Sequence, residues 1–313
     1  MPQTGAAAAP RRGYAGSAVR CACIDIGSNT TRLLVADVVG DRRRGMTLAP
    51  VVERRAFTQL GRACSAGDAV PATAREALAA VVTAQATEAR TLGVEALRVV
   101  ATAALRRSAD GLATCHALAA AAGAPVELLS EHDEARLAFA GATCALADAP
   151  DGPLAVVDVG GGSAQIVVGT CDAGAGWSVS LPLGSGDLTA THLHGDPPAG
   201  VELAALRSEV SAILGAITLP PVERALAVGG SATSLRRLAG PRLEPAALER
   251  VLATLLAAPA AQLAERLRIA PERARLLPAG IVVLAAIALH VGPLDVARGG
   301  LREGVLHELA AAA

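Results

Sequence analysis

One short pattern occurs twice in this chain, around Asp25 and again around Asp158, and it constrains the fold more than any other feature. The first copy reads Cys21-Ala22-Cys23-Ile24-Asp25-Ile26-Gly27-Ser28-Asn29-Thr30-Thr31-Arg32-Leu33-Leu34-Val35. The second reads Leu154-Ala155-Val156-Val157-Asp158-Val159-Gly160-Gly161-Gly162-Ser163-Ala164-Gln165-Ile166-Val167-Val168. Each is an apolar run, an acid, a glycine-rich turn with hydroxyl residues, and a second apolar run. That is a β-hairpin with a carboxylate at the end of its first strand and a tight, small-residue tip. Glycines let the backbone approach a ligand closely, and successive loop N–H groups make an anion-binding concavity. The neighbouring Asp is placed to hold a divalent cation against a phosphate. Two such loops, each opening one half of the chain, would clamp a phosphate between them.

At 313 residues the chain has room for two domains with sizeable cores. Apolar residues make up 52% but aromatics only 1%, so the cores are built from small and aliphatic side chains. The apolar stretch 279–291 is too short to span a bilayer and reads as a buried helix, so no membrane association is expected. Residues 1–18 are rich in Ala, Gly, Pro and Arg, without an apolar core, and read as a disordered tail, not a signal peptide. A net charge of −1 supplies no basic field for nucleic acid. All 28 basic residues are arginine, and the missing lysine excludes a Walker A loop. Six cysteines without a C-x-x-C pair read as reduced thiols of a cytoplasmic protein; Cys21 and Cys23 share a strand face as small hydrophobes.

Periodicity and punctuation give a strand–helix alternation in each half. Strands are expected over 19–26, 31–39 and 47–54, with Arg42, Arg43 and Arg44 at a solvated turn. A helix over 71–92, a strand over 94–101, a helix over 112–122 closed by Gly123 and a strand over 126–129 follow. Ser130-Glu131-His132-Asp133 has the form of a capping box opening a helix from Glu134 to 147. The segment 148–153 is linker-like, and the pattern then repeats: hairpin 154–169, strand 177–183, helix 201–217 and strand 224–228. Gly229, Gly230 and Ser231 make a third anion-receptive turn before a helix at 235–238. Helices fill most of 245–291, and a final helix follows Leu301-Arg302-Glu303-Gly304. The fold class is therefore α/β, in two similar domains over 19–138 and 139–313 with a cleft between them.

A phosphoanhydride hydrolase needs a cation site, anion cradles, a cationic group on the transferring phosphoryl, and a carboxylate that orients or deprotonates water. Asp25 and Asp158 are candidates for the cation. Gly27, Ser28, Asn29 and Thr30, then Gly160, Gly161, Gly162 and Ser163, then Gly229, Gly230 and Ser231 are candidates for phosphate. Arg32 and Arg106 could clamp charge, and Glu134 could act on water. A helix N-terminus stabilises the carboxylate anion, which argues for Glu134 as a positioner more than a strong base. His192, His194 and Asp196 lie in a Gly/Pro-rich loop and read as solvated.

Five segments carry a family resemblance: Ile24 to Leu34, Ala101-Thr102-Ala103-Ala104-Leu105-Arg106, Glu131-His132-Asp133-Glu134-Ala135-Arg136-Leu137, Val157 to Ser163, and Leu301-Arg302-Glu303-Gly304-Val305-Leu306. In this order they resemble the exopolyphosphatase/guanosine-pentaphosphate phosphohydrolase (Ppx/GppA) family, of the short two-domain type. The resemblance implies two actin-like (ribonuclease H-like) domains of the sugar-kinase/Hsp70 ATPase superfamily. It implies release of terminal orthophosphate from polyphosphate, guanosine pentaphosphate or both, with Mg2+ (or Mn2+), in a homodimer. It places Glu134 and Arg106 in the catalytic centre, Asp158 at magnesium, and the glycine loops on phosphates. The chain departs from the family pattern at Ala164-Gln165 (usually Thr-Glu), at Asp187 (usually Arg) and at Gln59 and Arg62 of Gln59-Leu60-Gly61-Arg62 (usually Arg-Leu-Gly-Glu). These changes motivate a second class, a weakly active or non-catalytic binder of alarmone or polyphosphate. A third, a superfamily kinase or ATPase, is opposed by the segments around Arg106 and Glu134.

Overall fold

The computed structural model describes residues 18–41, 45–144, 146 and 148–312. The expected tail, apart from Ala18, and the turn at Arg42, Arg43 and Arg44 lie outside the described residues. The first half is built of β1 (Val19–Ile26), β2 (Thr31–Asp41), β3 (Gly45–Ala56), α1 (Leu60–Ala63), α2 (Ala72–Thr91), β4 (Ala96–Ala101), α3 (Ala103–Arg107), α4 (Gly111–Ala122) and β5 (Val126–Leu128). Helix α5 (Glu131–Thr143) leads to β6 (Leu154–Val159), β7 (Ala164–Thr170), β8 (Gly174–Leu181), α6 (Ser185–His192), α7 (Gly200–Gly215), β9 (Arg224–Val228) and α8 (Gly229–Ala239). The chain ends through β10 (Arg242–Leu243), α9 (Pro245–Leu255), α10 (Ala260–Leu267), α11 (Pro271–Val291), β11 (Leu294–Val296) and α12 (Leu301–Ala312).

The sequence repeat becomes a repeat of topology. In the first sheet the order is β3-β2-β1-β4-β5, and in the second β8, β7, β6, β9 and β11 take the same places, with β10 added beyond β11. In both, an antiparallel hairpin carries the acid and a parallel strand lies on its other side: β4 beside β1, β9 beside β6. This is the actin-like arrangement, present twice. It puts the hairpin tips and the ends of the parallel strands at one end of each sheet, where open α/β sheets bind ligands.

Alternation along β1 divides its side chains between two layers. Ala22, Ile24 and Ile26 pack under α2 and α4, against Leu78, Val82 and Leu118. Cys21 and Cys23 face the other way, against Leu301, Val305 and Leu306 of the last helix. So α12, at the C-terminal end, completes the core of the first sheet. Helix α5 does the reverse: Ala135, Phe139 and Ala142 pack on Leu154, Val156 and Val167 of the second sheet.

The two exchanged helices touch through glycine. A Cβ on Gly304 of α12 would lie 2.0 Å from the Leu137 carbonyl oxygen, and one on Gly141 of α5 would lie 1.9 Å from that of Gly300. The obstacle is backbone, which cannot swing aside. Gly304→Ala is therefore expected to destabilise the protein by about 1–3 kcal/mol, the usual range for overpacking. Urea unfolding monitored by circular dichroism checks it.

The structure corrects several expected boundaries. The Gly229 turn is itself the first turn of α8, and Leu301 to Gly304 lie inside α12. The apolar stretch near the C-terminus is part of a 21-residue helix, α11, long and apolar enough by length and composition to cross a bilayer. Two-thirds of its most apolar window (67%) is buried in the second domain, where Leu277, Ile281 and Leu284 join the core. Short elements α1, α3, α6, β10 and β11 were not expected, because fragments of two to eight residues carry too little periodicity to register.

Candidate functional site

The two hairpin tips close with the same hydrogen bond. Gly27 N–H donates to the Thr30 carbonyl at 3.0 Å, and Gly160 N–H donates to that of Ser163 at 2.9 Å. Within each turn the N–H groups of Ser28, Asn29 and Thr30, and of Gly161, Gly162 and Ser163, donate to no backbone oxygen among the described residues. Those free donors are what an anion cradle requires. The tips also meet each other. The Asn29 amide lies so close to Gly161 that a Cβ there would sit 2.4 Å from its nitrogen.

All the loop residues expected to bind phosphate line one cleft of about 110 Å³, except Ser231. Asp25, Arg32, Glu134 and Asp158 line it too. Gly229 contributes backbone at φ 81°, and a Cβ on it would lie 2.2 Å from Asp158 Oδ1; this position needs glycine for both reasons. Ser231 departs from expectation. Its side chain is buried, with Oγ 3.0 Å from where a Cβ on Gly280 of α11 would lie, so it packs the second core and does not face the cleft.

Glu134 reaches the cleft because Ser130 caps α5, its Oγ accepting the Asp133 N–H at 3.1 Å. Arg106 comes from α3, tied to the first hairpin by the Thr102 N–H bond to the Ile26 carbonyl at 3.2 Å. The two side chains form an ion pair of 2.8 Å, and Arg106 also donates to the Leu129 carbonyl at 3.0 Å. Arg106 is not among the cleft-lining residues; it stands behind Glu134 and holds it. Burial pushes the Glu134 carboxyl up to about 7, against the pull of Arg106 and with help from Asp158 and Asp25. Desolvation thus outweighs the helix N-terminus, and the residue is a stronger base than its place on the helix suggests.

Asp25 and Asp158 end β1 and β6, the equivalent strands. Burial raises both, Asp158 to about 6 with help from Asp25; Arg32 opposes the rise on both, joined by Arg302 at Asp25. Two carboxylates that line one cleft and stay raised despite Arg32 suit a hard divalent cation that keeps waters and takes phosphate oxygens as its other ligands. Among the described residues no cluster of three or more His, Cys, Asp or Glu forms a dedicated metal cage. His192 Nε2 is hydrogen-bonded to Glu209 Oε2 at 2.6 Å, and Asp196 accepts the Ala260 N–H at 2.8 Å. His192 is thus engaged in structure where the sequence suggested solvent, whereas His194 and Asp196 are exposed as expected.

One residue of the cleft was not expected. Arg273, in the first turn of α11, is 7% exposed and its Nε has no hydrogen-bond partner. A Cβ on Gly230 would lie 2.5 Å from its Nη2, so it presses on the third glycine turn. Burial and the nearby charges of Arg55 and Arg32 hold its guanidinium down at about 10. A buried cation beside other cations is unfavourable unless an anion joins it. Arg32 shares part of that condition: burial and Arg302 lower it and its Nε is buried without a partner, but its side chain is 23% exposed and its Nη2 lies 4.0 Å from Glu53. Arg273→Met is expected to leave the ligand-free protein at least as stable. It should weaken inorganic phosphate binding by roughly 10- to 100-fold, the value of one or two charge-assisted hydrogen bonds. Calorimetric titration with phosphate, together with thermal melts, checks both.

Comparison with known proteins matches this geometry to a family. The model of the Ppx/GppA phosphatase family matches residues 35–312. The chain is 34% identical to exopolyphosphatase 2 of Mycobacterium tuberculosis over 90% of its own length and 87% of that protein's. It is 30% identical to exopolyphosphatase 1 of Mycobacterium leprae, over 92% and 88%. Among solved structures, the Ppx/GppA family member of Aquifex aeolicus superposes with a TM-score of 0.78 at 26% identity, covering 95% of this chain and 99% of that one.

The chain belongs to the Ppx/GppA phosphatase family.

It is accordingly an enzyme, a hydrolase of phosphoanhydride bonds. Its departures from the family pattern now have places. Gln165 lies opposite Asp158 in the β6–β7 register, 4% exposed, with Nε2 unpartnered. Asp158 and Gln165 share the sheet face that meets α5, the helix of Glu134. Asp187, another departure, forms a 2.8 Å ion pair with Arg107 of α3, joining the two domains.

Proposed function

We propose that this protein is an exopolyphosphatase that removes the terminal orthophosphate of inorganic polyphosphate, and of guanosine pentaphosphate where that is supplied. The observation that carries this reading is a carboxyl raised to about 7, Glu134, facing a cleft walled by two N–H cradles, the buried Arg273 and the half-buried Arg32. The terminal phosphate lies between the hairpin tips, where the loop N–H groups and Arg273 take its oxygens. Glu134 accepts a proton from water as the water oxygen bonds to phosphorus, and the bridging P–O bond breaks. The electron pair goes to the shortened chain, whose new negative charge meets Arg32 and Arg273. Arg106 keeps Glu134 aimed.

Asp158, with Asp25, would hold Mg2+ or Mn2+, which supplies neutralisation of charge on the phosphate oxygens. The loss of one carboxylate at Gln165 predicts a weaker cation site. Gln165→Glu should lower the magnesium concentration giving half-maximal rate by several-fold; an unchanged or higher value would separate Gln165 from the cation.

The reading is tested by phosphate release with magnesium from long-chain polyphosphate, guanosine pentaphosphate and ATP in parallel. Release from polyphosphate above that from ATP supports it. Saturable binding without release from any of the three would replace it with a binding protein. Release from guanosine pentaphosphate alone would move the substrate from polyphosphate to the alarmone.

A further inference from the structure

A second cavity, about 590 Å³, adjoins the phosphate cleft. The two share Asn29, and the consecutive residues Ser185 and Gly186 line one and then the other. The elements around the boundary brace the cradles: Gly61 N–H donates to the Ser28 carbonyl at 2.9 Å, and Gly186 N–H to that of Gly161 at 2.8 Å. A further space beside the cleft, lined by residues 297–303, holds only about 70 Å³. A substrate whose terminal phosphate lies between the hairpin tips therefore has the larger cavity as the roomy side for its remaining atoms.

That cavity does not suit a long polyanion. Its charged walls are Arg62, Asp187, Glu272 and Arg275, two of each sign, with His194 beside them. Arg275 is occupied in donating to the carbonyls of Leu193, His194 and Gly195. Arg107 would otherwise present its charge to the phosphate loop, since a Cβ on Gly162 would lie 2.6 Å from its Nη2. Asp187 takes that charge in its 2.8 Å ion pair. A phosphate chain leaving the cleft thus passes from Arg273, which has no ion pair among the described residues, and Arg32, 4.0 Å from Glu53, to a wall with no net positive charge. Further phosphates add little attraction there, and screening by salt reduces what remains.

We propose that Asp187 is a specificity determinant of this enzyme: by occupying Arg107 and adding a carboxylate to the cavity wall, it confines recognition to the last few phosphates. Short phosphoanhydrides such as tripolyphosphate are then used about as well, per chain end, as long polyphosphate. This rests on the reading that the terminal phosphate binds between the hairpin tips.

The test measures KM and kcat per chain end for tripolyphosphate and long-chain polyphosphate at one fixed ionic strength, in the wild type, Asp187→Asn and Asp187→Arg. The wild-type KM values should agree within about threefold. Asp187→Arg should lower KM for the long chain on the order of tenfold, with a smaller effect on tripolyphosphate, and Asp187→Asn should fall between. Long chains already favoured tenfold by the wild type, or an equal change on both substrates in the variants, would overturn the proposal. The wild-type comparison decides alone if Asp187→Arg does not fold. Should neither substrate be hydrolysed, the hydrolase reading fails first. Calorimetric Kd values for the same two ligands, judged by the same ratio, then decide the role of Asp187 on their own.

Discussion

Glu134→Gln is expected to lower kcat on the order of 10²- to 10⁴-fold, the range for a removed general base, while the fold and substrate binding survive. The substitution keeps the shape and a hydrogen-bond acceptor for Arg106, so the α3–α5 contact stays in place. It removes only the group that takes the proton. The pH profile separates this role from a structural one. The working form of Glu134 is ionised, and burial sets its carboxyl at about 7 without a cation. Activity should therefore fall as pH drops through and below that value. A bound cation offsets the negative charges of Asp25 and Asp158 and moves the limb to lower pH. In Glu134→Gln the residual rate should show no such limb. A variant that keeps both its rate and its acid limb would remove Glu134 from the chemistry.

Asp158→Asn has the second-largest expected effect, and it acts on activity and stability in opposite directions. Loss of the charge that holds the cation should cost on the order of 10²- to 10³-fold in rate, a few kcal/mol of charge stabilisation. Stability of the metal-free protein should rise. The folded-state pKa of Asp158, about 6, lies above its ordinary 3.8, so the ionised form is disfavoured by folding. The fold gains from this group at pH below 3.8 and loses that gain as pH climbs through about 6. At pH 8 in EDTA the variant should melt above the wild type, and near pH 5 the gap should narrow. Magnesium should raise the wild-type melting temperature and leave the variant's nearly unmoved. A variant that melts lower than the wild type at pH 8 in EDTA would show that the Asp158 carboxylate supports the fold.

The hairpins were legible because a glycine-rich turn between two apolar runs leaves few alternatives, and the repeat of that pattern predicted the repeat of topology. Glu134 was legible from the Ser130 cap, although the helix expected over 134–147 begins at Glu131 and ends at Thr143, which puts Glu134 in its first turn. Arg273 was not. It sits in Pro271-Glu272-Arg273-Ala274-Arg275, where three charges in five residues look like an exposed helix start. The available signal was its spacing, four residues before Leu277 on the stripe that becomes the buried face of α11. An arginine on an apolar stripe needs an anion, and the adjacent Glu272 lines the larger cavity, not the cleft that Arg273 lines. The roles of Arg106 and Ser231 depended on three-dimensional partners. Glu134 claims Arg106, and α11 covers Ser231, contacts of 28 and about 50 positions' separation that no local pattern reports. The exchange of α5 and α12 between the sheets was hidden for the same reason, although Gly141 and Gly304 mark where the helices meet.

The account turns on where the terminal phosphate binds. A crystal structure of Glu134→Gln with tripolyphosphate and magnesium measures this directly. The account predicts the terminal phosphate between Gly27–Thr30 and Gly160–Ser163, within hydrogen-bond distance of their N–H groups and of the Arg273 guanidinium, with the residue-134 side chain facing its phosphorus. A phosphate bound in the larger cavity beside Asp187, touching neither hairpin tip, would contradict it.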